Sequence, residues 1–176
     1  RIPKSTAYFL IQGMVANNLG QSILSDFFVI PMHLNGGLKE HPVSFESFLQ
    51  KYQLQEDLYT LDISQEDLAQ LQNLLPDVID FAHQLHMDQK QQELQADMEK
   101  QLAVYNEKMK NWEASKKDQL QLDFEDKTLT GFVKKRKQDK EYEIETILNT
   151  SSQYFKDLTS LNAHPYLKVI AVFYND

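Results

Sequence analysis

The chain has 176 residues and a net charge of −8, and 41% of its residues are hydrophobic, which is typical of a folded protein rather than a disordered one. It has no cysteine, which excludes disulfides, thiolate metal sites and a cysteine nucleophile. No apolar run reaches the length of about 20 residues that a membrane-spanning helix needs, so we expect a cytoplasmic protein with no membrane partner.

Two amino-terminal segments have the composition of β-strands. Thr6 to Val15 and Ser22 to Leu34 are rich in aromatic and branched residues, which favour strands. Residues 16–21 between them supply Asn and Gly where a hairpin turn needs a positive φ. Because so short a loop leaves no room for a crossover, we expect the strands to pair as an antiparallel hairpin.

Two short helices are expected next. Ser44 is a suitable N-cap for a helix that carries aromatic residues on one side. Ser64 is a suitable N-cap for a second helix with a stripe of leucines, which Pro76 either kinks or ends so that a new helix starts there. We expect residues 52–63 between the two helices to be irregular.

The stretch from Asp77 to Leu161 is expected to form an antiparallel hairpin of two long helices. In both halves the apolar residues recur at steps of three or four, which places each set on one stripe of a helix that the other stripe can bury. At about 1.5 Å per residue, roughly forty residues make an arm on the order of 60 Å long. The outgoing stripe consists of Leu94, Met98, Leu102, Tyr105, Met109 and Trp112, and the returning stripe of Ile144, Ile147, Leu148, Ser151, Tyr154, Phe155, Leu158 and Leu161.

The end of the arm and the last segment of the chain complete the expected fold. Residues 120–130 are expected to form a frayed helix end and a loop. Tyr166 to Tyr174 is apolar on both faces apart from Lys168, so we expect a strand that lies centrally or beneath a covering helix. It should close a small antiparallel sheet with the amino-terminal hairpin. The predicted fold class is therefore α+β, with a small antiparallel sheet, helices and a long coiled-coil arm.

The length suits one domain with an appendage. We expect a single accessory domain over residues 1–176, made of a sheet with a short helix (1–63), helices with the coiled-coil arm (64–161) and a closing strand (162–176). Because the sequence opens with Arg1 and no initiator methionine, we interpret it as a piece of a longer polypeptide.

The charge is unevenly distributed along the chain. Of 18 basic and 26 acidic residues, eleven basic and seven acidic ones lie within residues 100–140. This basic part of the arm could meet the phosphates of a nucleic acid, or it could be a solvated helix face that pairs with Glu107, Glu113 and Asp139. The sequence leaves both interpretations open. The candidate nucleic-acid or partner contacts are Lys116, Lys117, Lys127, Lys134, Lys135, Arg136 and Lys137.

Asp80, His83 and His86 are spaced three residues apart, and a metal ion could use them if a second element supplied more carboxylates. We favour the alternative of two partly exposed histidines beside an acid, because helical metal sites draw ligands from several helices. No phosphate-binding Gly-rich loop, nucleophile elbow or catalytic triad is recognisable. We therefore expect the chain itself to be non-catalytic and to hold no cofactor.

Five segments form a set that resembles a known family. They are the strand Tyr8 to Val15, the turn Asn17-x-Leu19-Gly20-Gln21, a second strand leading into Asn35-Gly36-Gly37, a charged coiled coil with a Trp, and the closing Pro165 to Phe173. Together they resemble the carboxy-terminal region of large bacterial SNF2-type helicase-like proteins. The resemblance implies that ATP and Mg²⁺ binding, ATP hydrolysis and translocation on DNA belong to motor domains upstream of Arg1. None of the motor's catalytic residues maps onto this chain.

For this chain the resemblance implies an accessory role. The sheet would dock on the motor domains, and the basic arm would contact DNA or a partner protein, which could belong to a restriction or phage-defence system. The alternative is a structural protein–protein interaction module, unrelated to a helicase, whose coiled-coil arm recruits another protein or dimerises. A weaker third interpretation is an enzyme that uses the Asp80, His83 and His86 set as a metal site.

Overall fold

A computed structural model describes residues 2–53, 63–125 and 130–175. Within these ranges the fold is α+β, as predicted. A π-helical turn, His83–Met87, joins the second helix to the third. The strands are β1 (Thr6–Ala16), β2 (Ser22–His33), β3 (Val43–Ser44) and β4 (Tyr166–Tyr174), and the helices are α1 (Phe45–Tyr52), α2 (Gln65–Ala82), α3 (Asp88–Glu125) and α4 (Gly131–Thr159).

The chain divides into two compact units. The first comprises Arg1–Ala16, Gly20–Glu93 and Asn162–Asp176, and it contains the sheet. The second comprises Asn17–Leu19 and Leu94–Leu161, and it contains most of α3 and all of α4.

The sheet of the first unit has the strand order β3-β2-β1-β4, and all its pairings are antiparallel. The predicted amino-terminal hairpin and its pairing with the closing strand are confirmed. β1 is the central strand, because β2 and β4 flank it along most of its length. Its residues from Ala7 to Ile11 are buried, so the sheet must be covered on both faces at this level. Gly20 supplies the positive φ, +77°, that the hairpin turn was expected to need.

The closing strand β4 lies at the edge of the sheet, which contradicts the expected central position. The alternative of a covering helix is met in part, because Phe173 packs against Phe48 of α1. Among the described strands β4 pairs only with β1, and Tyr166 and Ile170 are 59% and 45% exposed. The register shifts between Leu10 and Ile11, so Ile170 has no partner residue and forms a bulge. A run of apolar residues does not reveal which strand is central, and β1, which is equally apolar, takes that place.

Helix α1 covers one face of the sheet around Tyr8, Leu10 and Val29. Ser44 caps it as predicted, since its side chain accepts a hydrogen bond from the amide of Ser47. A small core forms between this helix and the sheet. In it the hydroxyls of Tyr8 and Tyr52 are 2.6 Å apart. Burial, followed by the hydrogen bond with Tyr52, raises the pKa of Tyr8 well above its usual range. The core residues are Tyr8, Leu10, Val29 and Phe48, with Val43, Phe45, Leu49, Tyr52, Ala171 and Phe173 packed around them.

Helix α2 is capped by Ser64 as predicted, because the Ser64 side chain accepts from the amide of Asp67. Pro76 lies inside the helix, which continues without a break to Ala82. From Leu71 onward the helix buries one side: Leu71, Leu74, Val78 and Ala82 are all buried. Packing of this apolar side therefore outweighs the backbone hydrogen bond that Pro76 cannot donate.

In the second unit, α3 and α4 form the predicted antiparallel helical hairpin. The rings of Tyr105 and Phe155 stack with centroids 3.9 Å apart and planes 9° from parallel. The outgoing stripe is half-buried at every predicted position, whereas Ile147 and Tyr154 of the returning stripe are exposed. The buried stripe of α4 is therefore narrower than predicted.

The end of α3 differs from the expected frayed segment. The helix continues to Glu125, and Leu120 and Phe124 are buried. Leu120 follows Trp112 by eight residues and Phe124 follows it by twelve, so both continue the outgoing stripe. Their packing keeps the last turns of α3 helical. The loop predicted beyond them falls largely on residues 126–129, which lie outside the described residues, as do most residues of the irregular segment predicted for 52–63.

Candidate functional site

The strongest local concentration of positive charge is a run of four residues near the start of α4. We call Lys134, Lys135, Arg136 and Lys137 the basic segment. Lys134 to Arg136 are exposed and Lys137 is half-buried. The first turn of α4 contains no acidic residue. This arrangement is the reverse of what the helix dipole favours, since anions stabilise a helix amino terminus. The basic segment therefore does not serve to stabilise its helix.

The basic segment also lacks acidic partners within the described part of the chain. None of its four side chains has a carboxylate within 4.0 Å there. Other lysines do, since Lys51 pairs with Glu40 at 2.9 Å and Lys100 with Asp97 at 3.0 Å. The predicted pairing of the cluster with nearby acids is thus not seen for these four residues, which keep their charges available for a ligand.

The remaining candidate cations behave differently. Lys117 pairs with Glu113 at 2.6 Å, one helical turn away. The hydrogen bond that Lys117 donates to Glu113 raises the pKa of Lys117. Lys116 donates to the side chain of Gln119 at 3.3 Å and lines a cleft between the two helices. Lys127 lies outside the described residues. Four of the seven predicted contacts therefore have no hydrogen-bond or ion-pair partner among the described residues.

A second charged cluster, which sequence reasoning did not identify, lies in the first unit. Asp26 of β2 accepts hydrogen bonds from the Nε2 of His86, at 2.7 Å, and from the Nζ of Lys90. The ring of His86 stacks on Phe28 with centroids 4.0 Å apart. Partial burial alone would raise the pKa of Asp26, but the hydrogen bonds from Lys90 and His86 outweigh it, so the pKa lies below its usual value. The available signal was Asp26 itself, the single charge inside a predicted strand.

The π-helical turn explains why these side chains meet. The amide of Asp88 donates to the carbonyl of His83, five residues earlier instead of four. This extra residue rotates the helix that follows, so that His86 and Lys90, one turn apart, both reach Asp26. Met87 is fully buried in the same turn and packs against Gly13 of β1. The cluster thus fixes the start of α3 to the sheet.

The predicted metal candidates are not brought together as a ligand set. His86 is engaged by Asp26, whereas Asp80 is exposed and His83 is half-buried. No group of three His, Asp or Glu side chains among the described residues is placed to hold a metal ion.

A shallow cleft of about 330 Å³ runs along one side of the hairpin between α3 and α4. Its lining combines apolar residues with charged residues of both signs. The residues that line it offer a surface for binding. The lining consists of Trp112, Lys116, Gln119, Leu120 and Asp123 of α3 and Lys140, Glu143, Ile144 and Ile147 of α4.

Comparison with known proteins gives no relative. No family model matches the chain, and neither a curated protein nor a solved structure matches it significantly. Among the helices of the described ranges, none combines the length and hydropathy required to cross a membrane.

Proposed function

We propose that this chain is a non-catalytic contact domain that binds nucleic-acid phosphates through the basic segment. The observation that carries the proposal is a run of four cations, mostly exposed, with no acidic partner in the described part of the chain. Lysine and arginine side chains on a helix surface bind phosphate oxygens and release condensed counterions. Such contacts give affinity without reading base sequence.

The rest of the chain limits where nucleic acid can bind. Outside residues 100–140 the chain holds nineteen acidic and seven basic residues. This negative charge disfavours wrapping of nucleic acid around the whole protein. Binding is therefore confined to a short stretch of backbone at the basic segment. A contact of this size suits an accessory domain that assists another DNA-binding protein rather than one that binds tightly alone.

The sequence resemblance supplies the larger context of the proposal. We place the chain at the carboxy terminus of a cytoplasmic ATP-dependent DNA helicase or translocase of the SNF2 type. In that context the upstream motor domains bind ATP and Mg²⁺ and hydrolyse ATP, and this chain contributes DNA or partner contacts. The partner in this proposal is a protein of a restriction or phage-defence system.

The proposal is tested by neutralising the basic segment in the full chain. The variant replaces Lys134, Lys135, Arg136 and Lys137 with Gln, and fluorescence anisotropy measures its binding to a labelled duplex of about 20 base pairs at low salt. We expect at least a tenfold loss of affinity, since about three to four phosphate contacts disappear. Circular dichroism should show unchanged helix content, because exposed side chains contribute little to stability.

A charge-matched control removes four cations elsewhere on the same two helices, by replacing Lys100, Lys108, Lys110 and Lys156 with Gln. All four are exposed. We expect this variant to lose less than threefold in affinity if the basic segment is the contact. An equal loss in both variants would show that only net charge matters and would refute a defined site.

A structural protein–protein interaction module remains the second candidate. The cleft between α3 and α4 and the exposed Ile147 and Tyr154 of α4 favour it, because phosphate binding does not require them. The two functions differ in their response to salt. Nucleic-acid binding weakens steeply as salt increases, whereas burial of apolar surface does not.

A further inference from the structure

The cleft side of the hairpin carries two exposed apolar side chains of α4, Ile147 and Tyr154. Lys140 and Ile147 line the cleft, and Tyr154 follows Ile147 by seven residues, so it continues the same row along α4. Ile147 is 43% exposed and Tyr154 is 56% exposed. Together with the half-buried Trp112 and Ile144 they form an apolar strip beside the seam between the helices.

On the other side of the hairpin, charged residues of α3 and α4 interact with one another. There Lys117 pairs with Glu113, and Glu141 and Glu145 of α4 are close enough to raise the pKa of Lys117 further after the effect of Glu113. Charged residues thus connect α3 and α4 on that side. The asymmetry is that of helices in a bundle, where one side faces solvent and the other faces a further helix.

We propose that the cleft side of the hairpin binds the same side of a second copy of this chain, forming a four-helix bundle. The available area is sufficient. The 29 residues of α4 span about 44 Å at 1.5 Å per residue, and two helices about 10 Å apart present a face about 20 Å wide. That gives about 900 Å² per copy, close to the roughly 800 Å² per partner of a stable interface.

The charged residues that line the cleft fit a second copy of this chain as the partner. Lys116 and Lys140 contribute two positive charges, and Asp123 and Glu143 contribute two negative ones. A surface with equal numbers of both signs can complement itself about a two-fold axis, whereas a strongly charged partner would gain nothing from it. Pairing two hairpins antiparallel also keeps the basic segments of the two copies at opposite ends, which minimises their repulsion.

This inference is independent of phosphate binding, because it uses the apolar side chains of the cleft side and none of the four residues of the basic segment. It also goes beyond a general interaction role, since it names the partner and the side of the hairpin that binds it. Phosphate binding and dimerisation can therefore succeed or fail separately.

Analytical ultracentrifugation of the full chain, from about 1 µM to about 200 µM, tests the proposal. We expect a reversible monomer–dimer equilibrium in this range. Replacing both Ile147 and Tyr154 with Lys places charge in the apolar strip and should raise the dissociation constant at least tenfold. Both side chains are already exposed, so the variant is expected to keep its helix content.

The matched control is Tyr142→Lys. Tyr142 is also an exposed tyrosine of α4, at 72%, but it is twelve residues from Tyr154 and therefore about 120° around the helix. The control should dimerise like the parent chain, and a single variant, Tyr154→Lys, should be weakened. A chain that stays monomeric throughout the range, or a control as strongly affected as Tyr154→Lys, would overturn the proposal.

Discussion

The imidazole Nε2 of His86 lies 2.7 Å from the Oδ2 of Asp26, although 60 positions of sequence separate the two residues. The contact joins strand β2 to the π-helical turn, and Lys90 donates to the same carboxylate oxygen from the following helical turn. The only charged side chain of β2 thus meets two donors on one short helical segment. This pairing joins the start of α3 to the sheet.

Replacing Asp26 with Asn should destabilise the first unit by about 1–2 kcal/mol at neutral pH, because hydrogen bonds to a charged group are lost or weakened. The pKa of Asp26 is lowered in the folded chain, so its contribution is present above the unfolded pKa of about 3.9. That contribution should fade as the pH falls through this value toward the lower folded pKa. Urea unfolding at several pH values measures the difference between the parent chain and the variant.

A suitable control for this experiment is Asp97→Asn, which removes an acid from an exposed pair on α3. It should change stability by less than about 0.5 kcal/mol at every pH. A pH-independent difference between the parent chain and Asp26→Asn would contradict the proposed ionic character of the cluster.

Gly13 provides the space in which Met87 packs. A Cβ atom added to Gly13 would overlap the Sδ of Met87 and lie 3.1 Å from a ring carbon of Phe28. Because Met87 is fully buried, its side chain has little room to move, and Gly13→Ala should cost about 1–3 kcal/mol of unfolding free energy. The double variant with Met87→Ala should be less destabilised than the sum of the two single variants. Additive effects would show that the two residues do not compete for the same space.

The sequence was sufficient for the elements whose periodicity is strong. The hairpin of β1 and β2 followed from two strand-like segments around a turn with Asn and Gly, and the helix starts at Ser44 and Ser64 followed from their capping side chains. The outgoing stripe of the helical hairpin was also predicted correctly, because steps of three and four fix one face of a helix.

The errors arose where long-range packing decides. The apolar pattern of β4 could not show that β1 would occupy the centre of the sheet, so the central position predicted for β4 is wrong, whereas the helix-covered alternative holds for Phe173. Nothing in the sequence marks the π-helical turn, whose extra residue brings His86 and Lys90 to Asp26. The predicted returning stripe included too many residues. Two helices bury only a narrow strip of each other, so Ile147 and Tyr154 are exposed.

The stacked pair of Tyr105 and Phe155 should contribute measurably to the second unit. Phe155→Ala removes an apolar ring from a half-buried seam and its stacking contact, so we expect a loss of about 1–3 kcal/mol. Tyr142→Ala, at an exposed position of the same helix, should change stability by less than about 0.5 kcal/mol. Thermal unfolding followed by circular dichroism provides both values, and equal effects would show that the stack is not a stabilising contact.

Asn17 should stabilise the second unit, because it is fully buried and its side-chain amide both donates and accepts a hydrogen bond. Its Nδ2 donates to the carbonyl of Leu158 at 3.1 Å, and its Oδ1 accepts from the amide of Leu19 at 3.0 Å. Asn17→Ala leaves the Leu158 carbonyl with one bond fewer, at a cost of about 1–3 kcal/mol. The neighbouring Asn18→Ala, at an exposed position, should cost less than about 0.5 kcal/mol in the same denaturation experiment.

The most direct test of the central claim is the salt dependence of duplex DNA binding by the full chain and by the variant in which the four residues of the basic segment are Gln. For the full chain, the logarithm of the association constant should fall linearly with the logarithm of salt concentration, with a slope of about −3 to −4 if each cation neutralises one phosphate. The slope of the variant should be close to zero. Identical slopes for the two proteins, or no DNA binding by the full chain even at low salt, would contradict the assignment of the basic segment as a phosphate-binding site.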